Sequence, residues 1–180
     1  MALPSTIYRA TIQLSHVDRG IYETLATTIA RHPSEIAERV VLRLLAYALS
    51  YEDGLEFTKG ICAGDEPDLW RKGPDGRVTL WVEVGTPDPE RLVKACRHCQ
   101  QAVLLASGPN RFRWDGQHLA RLEPIPNLTL LGLDYGFVSQ LAAKLERTIS
   151  WELTISDNTL YLTANGEHCE AALELLSVPR

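Results

Sequence analysis

The first periodic stretch of the chain, "TIYRATIQLS" (6–15), alternates with Tyr8, Ala10, Ile12 and Leu14 on one face, which predicts a half-buried strand. "HVDRG" supplies a turn. The Thr-rich alternation of "YETLATTIAR" (22–31) then predicts a second strand completing a hairpin, with a helix as the alternative. The period changes in "HPSEIAERVVLRLLAYALSY" (32–51), where Ile36, Val40, Leu44 and Ala48 recur at helical spacing, joined by Val41 and Leu45. Ser34 after Pro33 is the expected N-cap, with Glu35 in the first turn. Glu35, Arg39 and Arg43 form an i, i+4 ladder along one side, which reads as surface at Arg43. Glu38 lines up with Val41, Leu42 and Leu45 and so looks toward packed surface. It is read either as a boundary carboxylate paired with an arginine or as an acid aimed into a cleft.

Further along, "LEFTKGI" (55–61) reads as a strand, "KGPDGR" as a turn and "VTLWVEV" (78–84) as another strand. "PDPERLVKACRHCQQ" starts a helix, with Asp88 as its cap and Pro89 in its first position. "AVLLAS" (102–107) and "NLTLLGL" (127–133) are short apolar strands, and the segment 110–122 between them accommodates a short helix. "DYGFVSQLAAKLER" (134–147) predicts a helix capped by Asp134, and "ISWELTI" and "TLYLTA" flank Asp157-Asn158 as a hairpin. "HCEAALELLSV" has helix-forming composition but alternates through Cys169, Ala171, Leu173 and Leu175, and is read as a strand. Neither repeats nor a linker divide the chain. The expectation is one α/β (α+β) domain over 1–180, a mixed sheet with flanking helices.

Composition narrows the classes. The 180 residues are 45% apolar and 23% charged, enough for one domain with a proper core. No apolar run approaches the roughly 20 residues of a membrane span, and "MALPSTIYRA" lacks the layout of a signal peptide. A cytoplasmic protein without a membrane partner is expected. The net charge of −5 argues against a basic coat on nucleic acid but leaves room for a local basic cleft. Only four lysines are present, Lys59, Lys72, Lys94 and Lys144, so few residues could supply a catalytic ammonium. "CRHC" at 96–99 has CxxC spacing without a second such pair. Convergence of Cys62, His98, His168 and Cys169 on it would make a zinc site, but small buried thiols are the preferred reading.

The candidate chemistry lies in "DEPDLWRKGPDGRVTLWVEVG" (65–85). A tight turn between adjacent strands brings Asp68, near the start of one, beside Glu83, near the end of the next. Two neighbouring carboxylates repel, and a hard divalent cation, Mg²⁺ or Mn²⁺, would compensate them, with the Val84 carbonyl as a third oxygen ligand. Such a metal could hold a phosphate oxygen and activate a water. Glu83 ends an apolar strand, where an unpaired carboxylate costs several kcal/mol. A plain Glu83–Arg91 or Glu83–Lys94 salt bridge meets the same need without catalysis. Asp68 after Pro67 could equally cap the turn before Trp70.

"EPDLW…VEVG", in its strand–turn–strand setting, resembles the PD-(D/E)XK phosphodiesterase superfamily. Three longer blocks, "ARHPSEIAERVVLRLLAYAL", "FTKGICAGDEPDLW" and "LWVEVGTPDPERLVKA", are similar to successive signature blocks of the YaeQ family of small bacterial proteins, a variant of that nuclease fold. The resemblance implies a restriction-endonuclease-like core (helix, three strands, helix, strand) over about 34–107, extended by N- and C-terminal β-hairpins. It implies a metal-dependent nuclease with Asp68 and Glu83 on the metal and Glu38 contributing through water. Gly85 stands where the superfamily carries its lysine. Some branches supply that lysine from the following helix, which points to Lys94 as the group that orients the attacking water, in space vacated at Gly85. Arg39 and Arg91 would contact phosphate, and Arg39 and Arg43 would alternatively hold the carboxylates in place. The substrate would be DNA or RNA, with no organic cofactor. The competing expectation is a non-catalytic nucleic-acid-binding or regulatory accessory protein of transcription or repair on the same fold.

Overall fold

A computed structural model describes residues 4–59 and 64–179. Its first two strands, β1 (Thr6–His16) and β2 (Ile21–Arg31), form the expected hairpin, paired without a register break from Thr6↔Arg31 to His16↔Ile21. Tyr8, Ala10, Ile12 and Leu14 are buried on one face of β1, as the alternation requires. Helix α1 (Ala37–Leu49) follows, then β3 (Glu56–Phe57), β4 (Leu69–Lys72), β5 (Val78–Val84), α2 (Pro89–Cys96) and β6 (Gln101–Ala106). The chain closes with α3 (Arg111–Leu122), β7 (Leu128–Leu133), α4 (Tyr135–Ala143), β8 (Thr148–Ser156), β9 (Thr159–Ala164) and β10 (Glu167–Ser177).

All ten strands belong to one mixed sheet, in the order β2-β1-β8-β9-β10-β7-β6-β5-β4-β3, coiled into a nearly closed barrel with flanking helices. This corrects the expected architecture. The core was to be an open restriction-endonuclease-like sheet with the terminal hairpins as extensions. Instead β1 runs parallel to β8, from Arg9↔Thr148 to His16↔Ile155, and welds the N-terminal hairpin to the C-terminal strands. Asp18, in the turn after β1, strengthens this join by accepting the backbone N–H groups of Asp157 (2.9 Å) and Asn158 (3.3 Å). Those two residues turn the β8–β9 hairpin with φ of 50° and 54°, the left-handed pair a tight hairpin uses.

The larger core lies on the inner side. There Val40, Leu44 and Leu45 of α1 and Phe137 and Val138 of α4 share a cluster with residues of β1, β5, β7, β8 and β9. A smaller core covers the opposite face of β6 and β7, with Leu92 of α2 and Trp114 and Leu122 of α3 over Ala102, Leu104, Leu128 and Leu130. β5, β6 and β7 are mutually parallel and near-continuously apolar because helices cover both their faces.

Local differences from the sequence reading have local causes. Helix α1 starts at Ala37 behind Ile36, not at Ser34, whose hydroxyl is taken by His32 Nδ1 at 2.7 Å. The strand expected over 55–61 shrinks to Glu56–Phe57, its end at 60–61 lying outside the described residues. The segment 110–122 is a full helix over Arg111–Leu122. Asp88 and Asp134 cap α2 and α4 as read, accepting N–H groups of Glu90 and Phe137 at 2.9 Å. Among the described residues, no helix is long and apolar enough to cross a membrane.

Candidate functional site

The turn between β4 and β5 does bring Asp68, immediately before β4, beside Glu83 of β5, each only 3% exposed. What compensates them is protein. The Asp68 carboxylate is ion-paired through Oδ1 to Arg39 Nη2 and lies 3.8 Å from Arg43 Nε, while Oδ2 accepts the Val84 N–H at 2.9 Å. The Val84 carbonyl accepts from Arg39 Nη1 at 3.4 Å. Glu83 Oε1 accepts from Arg91 Nε at 2.7 Å and from Trp81 Nε1 at 2.8 Å. The three groups expected to ligand a divalent ion, Asp68, Glu83 and the Val84 carbonyl, therefore each already hold a protein donor, four of these from two arginines and a tryptophan. Among the described residues, no group of three or more His, Cys, Asp or Glu side chains is arranged to hold a metal ion. The residues do not fit Mg²⁺ or Mn²⁺, and the metal-dependent phosphodiesterase expectation falls with them. The open alternative for Glu83, a salt bridge to Arg91, is the arrangement found.

The remaining candidates separate. Lys94 is exposed on α2 and makes no hydrogen bond or ion pair with either acid among the described residues. The space beside Gly85 (φ +90°) is bordered by Arg39, whose Nη1 stands 3.9 Å from where a Cβ would sit, so the glycine makes room for an α1 arginine and not for Lys94. Glu38 is half-buried and pairs with neither an arginine nor the acids among the described residues. Arg39 and Arg91, read as phosphate contacts or as partners of the carboxylates, are found as the counter-ions of Asp68 and Glu83. Arg91 additionally donates Nη1 to the Gly64 carbonyl and Nη2 to the Glu66 carbonyl, tying the segment before Asp68 to α2.

Two charged residues of this network were misplaced by sequence reasoning. Glu35 and Arg43 are buried, 5% and 2% exposed, and paired at 3.3 Å, so the ladder from Glu35, just before α1, through Arg39 to Arg43 turns inward at both ends. The available signal was Arg43 standing within the unbroken apolar run around it. Arg43 also donates to the Ala30 carbonyl of β2 at 3.1 Å, so one guanidinium links the edge strand β2 to Asp68 at the entry to β4. A further buried cation, Arg111 at the start of α3, pairs with Glu174 (2.8 Å) and Asp115 (3.4 Å).

The chain is recognised over residues 1–173 by the family model for YaeQ protein. It is 36% identical to YaeQ of Salmonella typhi and 34% identical to YaeQ of Escherichia coli (strain K12), over 99% of each chain in both cases. The chain belongs to the YaeQ family. The crystal structure of the YaeQ protein from Xanthomonas axonopodis pv. citri superposes with a TM-score of 0.93 at 35% identity, over 97% of this chain and 99% of that one. The YaeQ protein from Pseudomonas syringae superposes with a TM-score of 0.92 at 39% identity, over 98% of both. Family membership was legible in the three signature blocks. The further step to a PD-(D/E)XK nuclease is overturned by the nearly closed YaeQ barrel and by the absence of a metal cluster among the described residues.

The CxxC of this YaeQ chain is likewise not a metal site among the described residues. Cys96 and Cys99 are half-buried free thiols, which burial pushes up to about 11 and about 12 respectively, so both stay protonated at neutral pH. Cys62 lies outside the described residues.

Beside the Glu83–Arg91 pair opens a groove of about 570 Å³. Trp81, Arg91, Lys94, Ala95 and His98 line it, with the acids Asp65, Asp88 and Glu90. Burial raises the pKa of Glu83 above its ordinary value despite the opposing pull of Arg91. A carboxyl raised in the folded state favours folding while protonated and loses that contribution as pH rises through its folded pKa. Glu83→Gln keeps an acceptor for Arg91 and Trp81 but cannot titrate. The stability of the parent relative to Glu83→Gln should therefore fall as pH rises through the window between the usual carboxylate range and the raised pKa of folded Glu83. Paired urea titrations across that window check the sign; a difference that grows with pH would contradict it.

Proposed function

We propose that the protein is a cytoplasmic nucleic-acid-binding accessory protein without hydrolytic chemistry, and that the groove over α2 takes a short single-stranded segment. The observation that supports this reading is that Arg91 and Lys94 on one face of α2, and His98 in the turn just beyond its end, line the same groove as the Trp81 indole. Lys94 and His98 are exposed and free of ion pairs among the described residues, so their hydration, and the counter-ion of Lys94, are exchangeable for phosphate. Trp81 is half-buried and its Nε1 is fixed on Glu83, which holds the indole still as a surface for a base. Arg91 is held by Glu83 and two carbonyls, so it contributes a positioned charge at little conformational cost. Asp65, Asp88 and Glu90 border the same groove and work against an extended polyanion, which favours a short contact over coating of a duplex.

The test is a titration of labelled single-stranded DNA and RNA oligonucleotides in the presence of EDTA, read by anisotropy and by tryptophan quenching. Saturable binding that weakens with salt is expected, and oligonucleotides incubated with Mg²⁺ in place of EDTA should be recovered intact. Lys94→Glu should weaken binding roughly tenfold at low salt by replacing a phosphate partner with a like charge. An absence of binding at low salt, or a Lys94→Glu variant that binds as the parent does, would refute the reading.

A further inference from the structure

The two edges of the sheet are unequal. On one side β3 is two residues long, too short to template another strand. On the other, β2 runs for eleven residues with no proline, no lysine and no bulge. Those are the devices by which an edge strand is ordinarily protected from pairing.

Which backbone groups of β2 face outward follows from the sheet itself. The Arg9 N–H bonds to the Arg147 carbonyl, so odd-numbered residues of β1 face β8 and even-numbered ones face β2. Even residues of β1 pair with odd residues of β2, as in Ala10↔Thr27 and Ile12↔Leu25. Thr24, Ala26, Thr28 and Ala30 therefore turn their N–H and C=O groups to the open edge. The Ala30 carbonyl confirms the direction, since it is the one that Arg43 reaches. Among the described residues, Thr24, Ala26 and Thr28 have no backbone partner on that edge.

We infer that this edge pairs with the β2 edge of a second copy of the chain, antiparallel about a two-fold axis at Thr27. A two-fold pairing must match even residues with even residues, which leaves registers two residues apart. Only the register centred on Thr27 places Ala26 opposite Thr28 while setting Glu23 of each copy against Arg31 of the other; Thr24 falls opposite Ala30, whose carbonyl is held by Arg43, so the ladder rests on the two symmetric Ala26–Thr28 pairs. Shifting the centre by one residue to either side sets those charges against Ile29 and Ile21, or against Pro33 and Leu25. Glu23 is exposed and has no salt bridge among the described residues. Arg31 uses Nε on the Glu35 carbonyl and Nη1 on the Tyr8 hydroxyl, leaving Nη2 available. The small side chains of Ala26, Thr28 and Ala30 are exposed and offer no steric bar to a neighbouring strand. An isologous contact of this kind closes at two subunits, because each edge is used once.

Sedimentation equilibrium of the full chain, from micromolar to sub-millimolar concentration, tests the inference. A species of twice the chain mass is expected. Glu23→Arg sets like charges opposite each other at both ends of the ladder and should weaken the dimer roughly tenfold. Thr28→Pro removes an outward N–H, a substitution edge strands accommodate, and should give monomer with the sheet signal in circular dichroism retained. A parent chain that is monomeric throughout, or a dimer indifferent to Glu23→Arg, would overturn the proposal. Should Thr28→Pro disturb folding, the exposed Glu23→Arg alone decides.

Discussion

Asp68→Ala is expected to remove about 3–5 kcal/mol of stability, the cost of breaking a buried charge pair by deleting one partner. The alanine would leave Arg43, itself 2% exposed, with Glu35 as its only counter-ion among the described residues, and would orphan the Val84 N–H that Asp68 accepts at 2.9 Å. It would also release Arg39, which now joins α1 to both Asp68 and the Val84 carbonyl. In a chain of this length the loss corresponds to a drop in melting temperature of roughly 10 °C. Asp68→Asn, which still accepts from Val84, should lose about half as much. Adding Arg43→Met to Asp68→Ala should recover part of the loss, because removing both members leaves no buried charge without its partner. Thermal and urea unfolding of the three variants check this. An Asp68→Ala protein as stable as the parent would show that the Arg39–Asp68–Arg43 cluster is not what fastens α1 to β4 and β5.

The second large effect is at Gly132, the penultimate residue of β7. A Cβ there would overlap Arg111 Nη1 and stand 3.0 Å from Arg111 Cζ and 3.3 Å from Glu174 Cβ. An arginine tip ordinarily gives way into solvent, but Arg111 is 2% exposed and held by Glu174 and Asp115. Gly132→Ala must therefore push the guanidinium out of its ion pairs or move β10, which is paired to β7 at Glu174↔Gly132. The expected cost is about 3 kcal/mol or more, combining overpacking with a broken buried pair. A double-mutant cycle with Arg111→Met isolates the cause. If the methyl group clashes with the guanidinium, the alanine should cost much less in the Arg111→Met background. Equal costs in both backgrounds would place the strain in the backbone instead.

Much of this protein was readable one segment at a time. The alternation in 6–15 and 22–31 gave a true hairpin, and Asp157-Asn158 marked the turn its φ values require. Asp88 and Asp134 capped the helices they were expected to cap. Even the succession from α1 to β6 follows the expected order of helix, three strands, helix and strand. These are local matters of period, capping and turn chemistry, which depend on residues within a few positions of one another. The signature blocks were equally legible, because family resemblance is itself a property of sequence.

What the sequence left open was decided by contacts between distant segments. That succession of elements is compatible with an open sheet or a curled one, and the parallel pairing of β1 with β8 selects the curled one. Asp68 and Glu83 read as metal ligands because a carboxylate pair needs positive charge, and the need was correctly inferred. The source of that charge lies in Arg39 on α1 and Arg91 on α2, whose reach is fixed only when both helices dock against β5. Likewise the burial of Arg43 and the necessity of Gly132 appear only once β2, β4, β7 and α3 are in place. The sequence by itself determined the elements, their caps and the requirement that two buried acids be neutralised. Tertiary structure alone decided how the sheet closes and which cations do the neutralising, because electrostatic partners are chosen by distance in space and not by spacing along the chain.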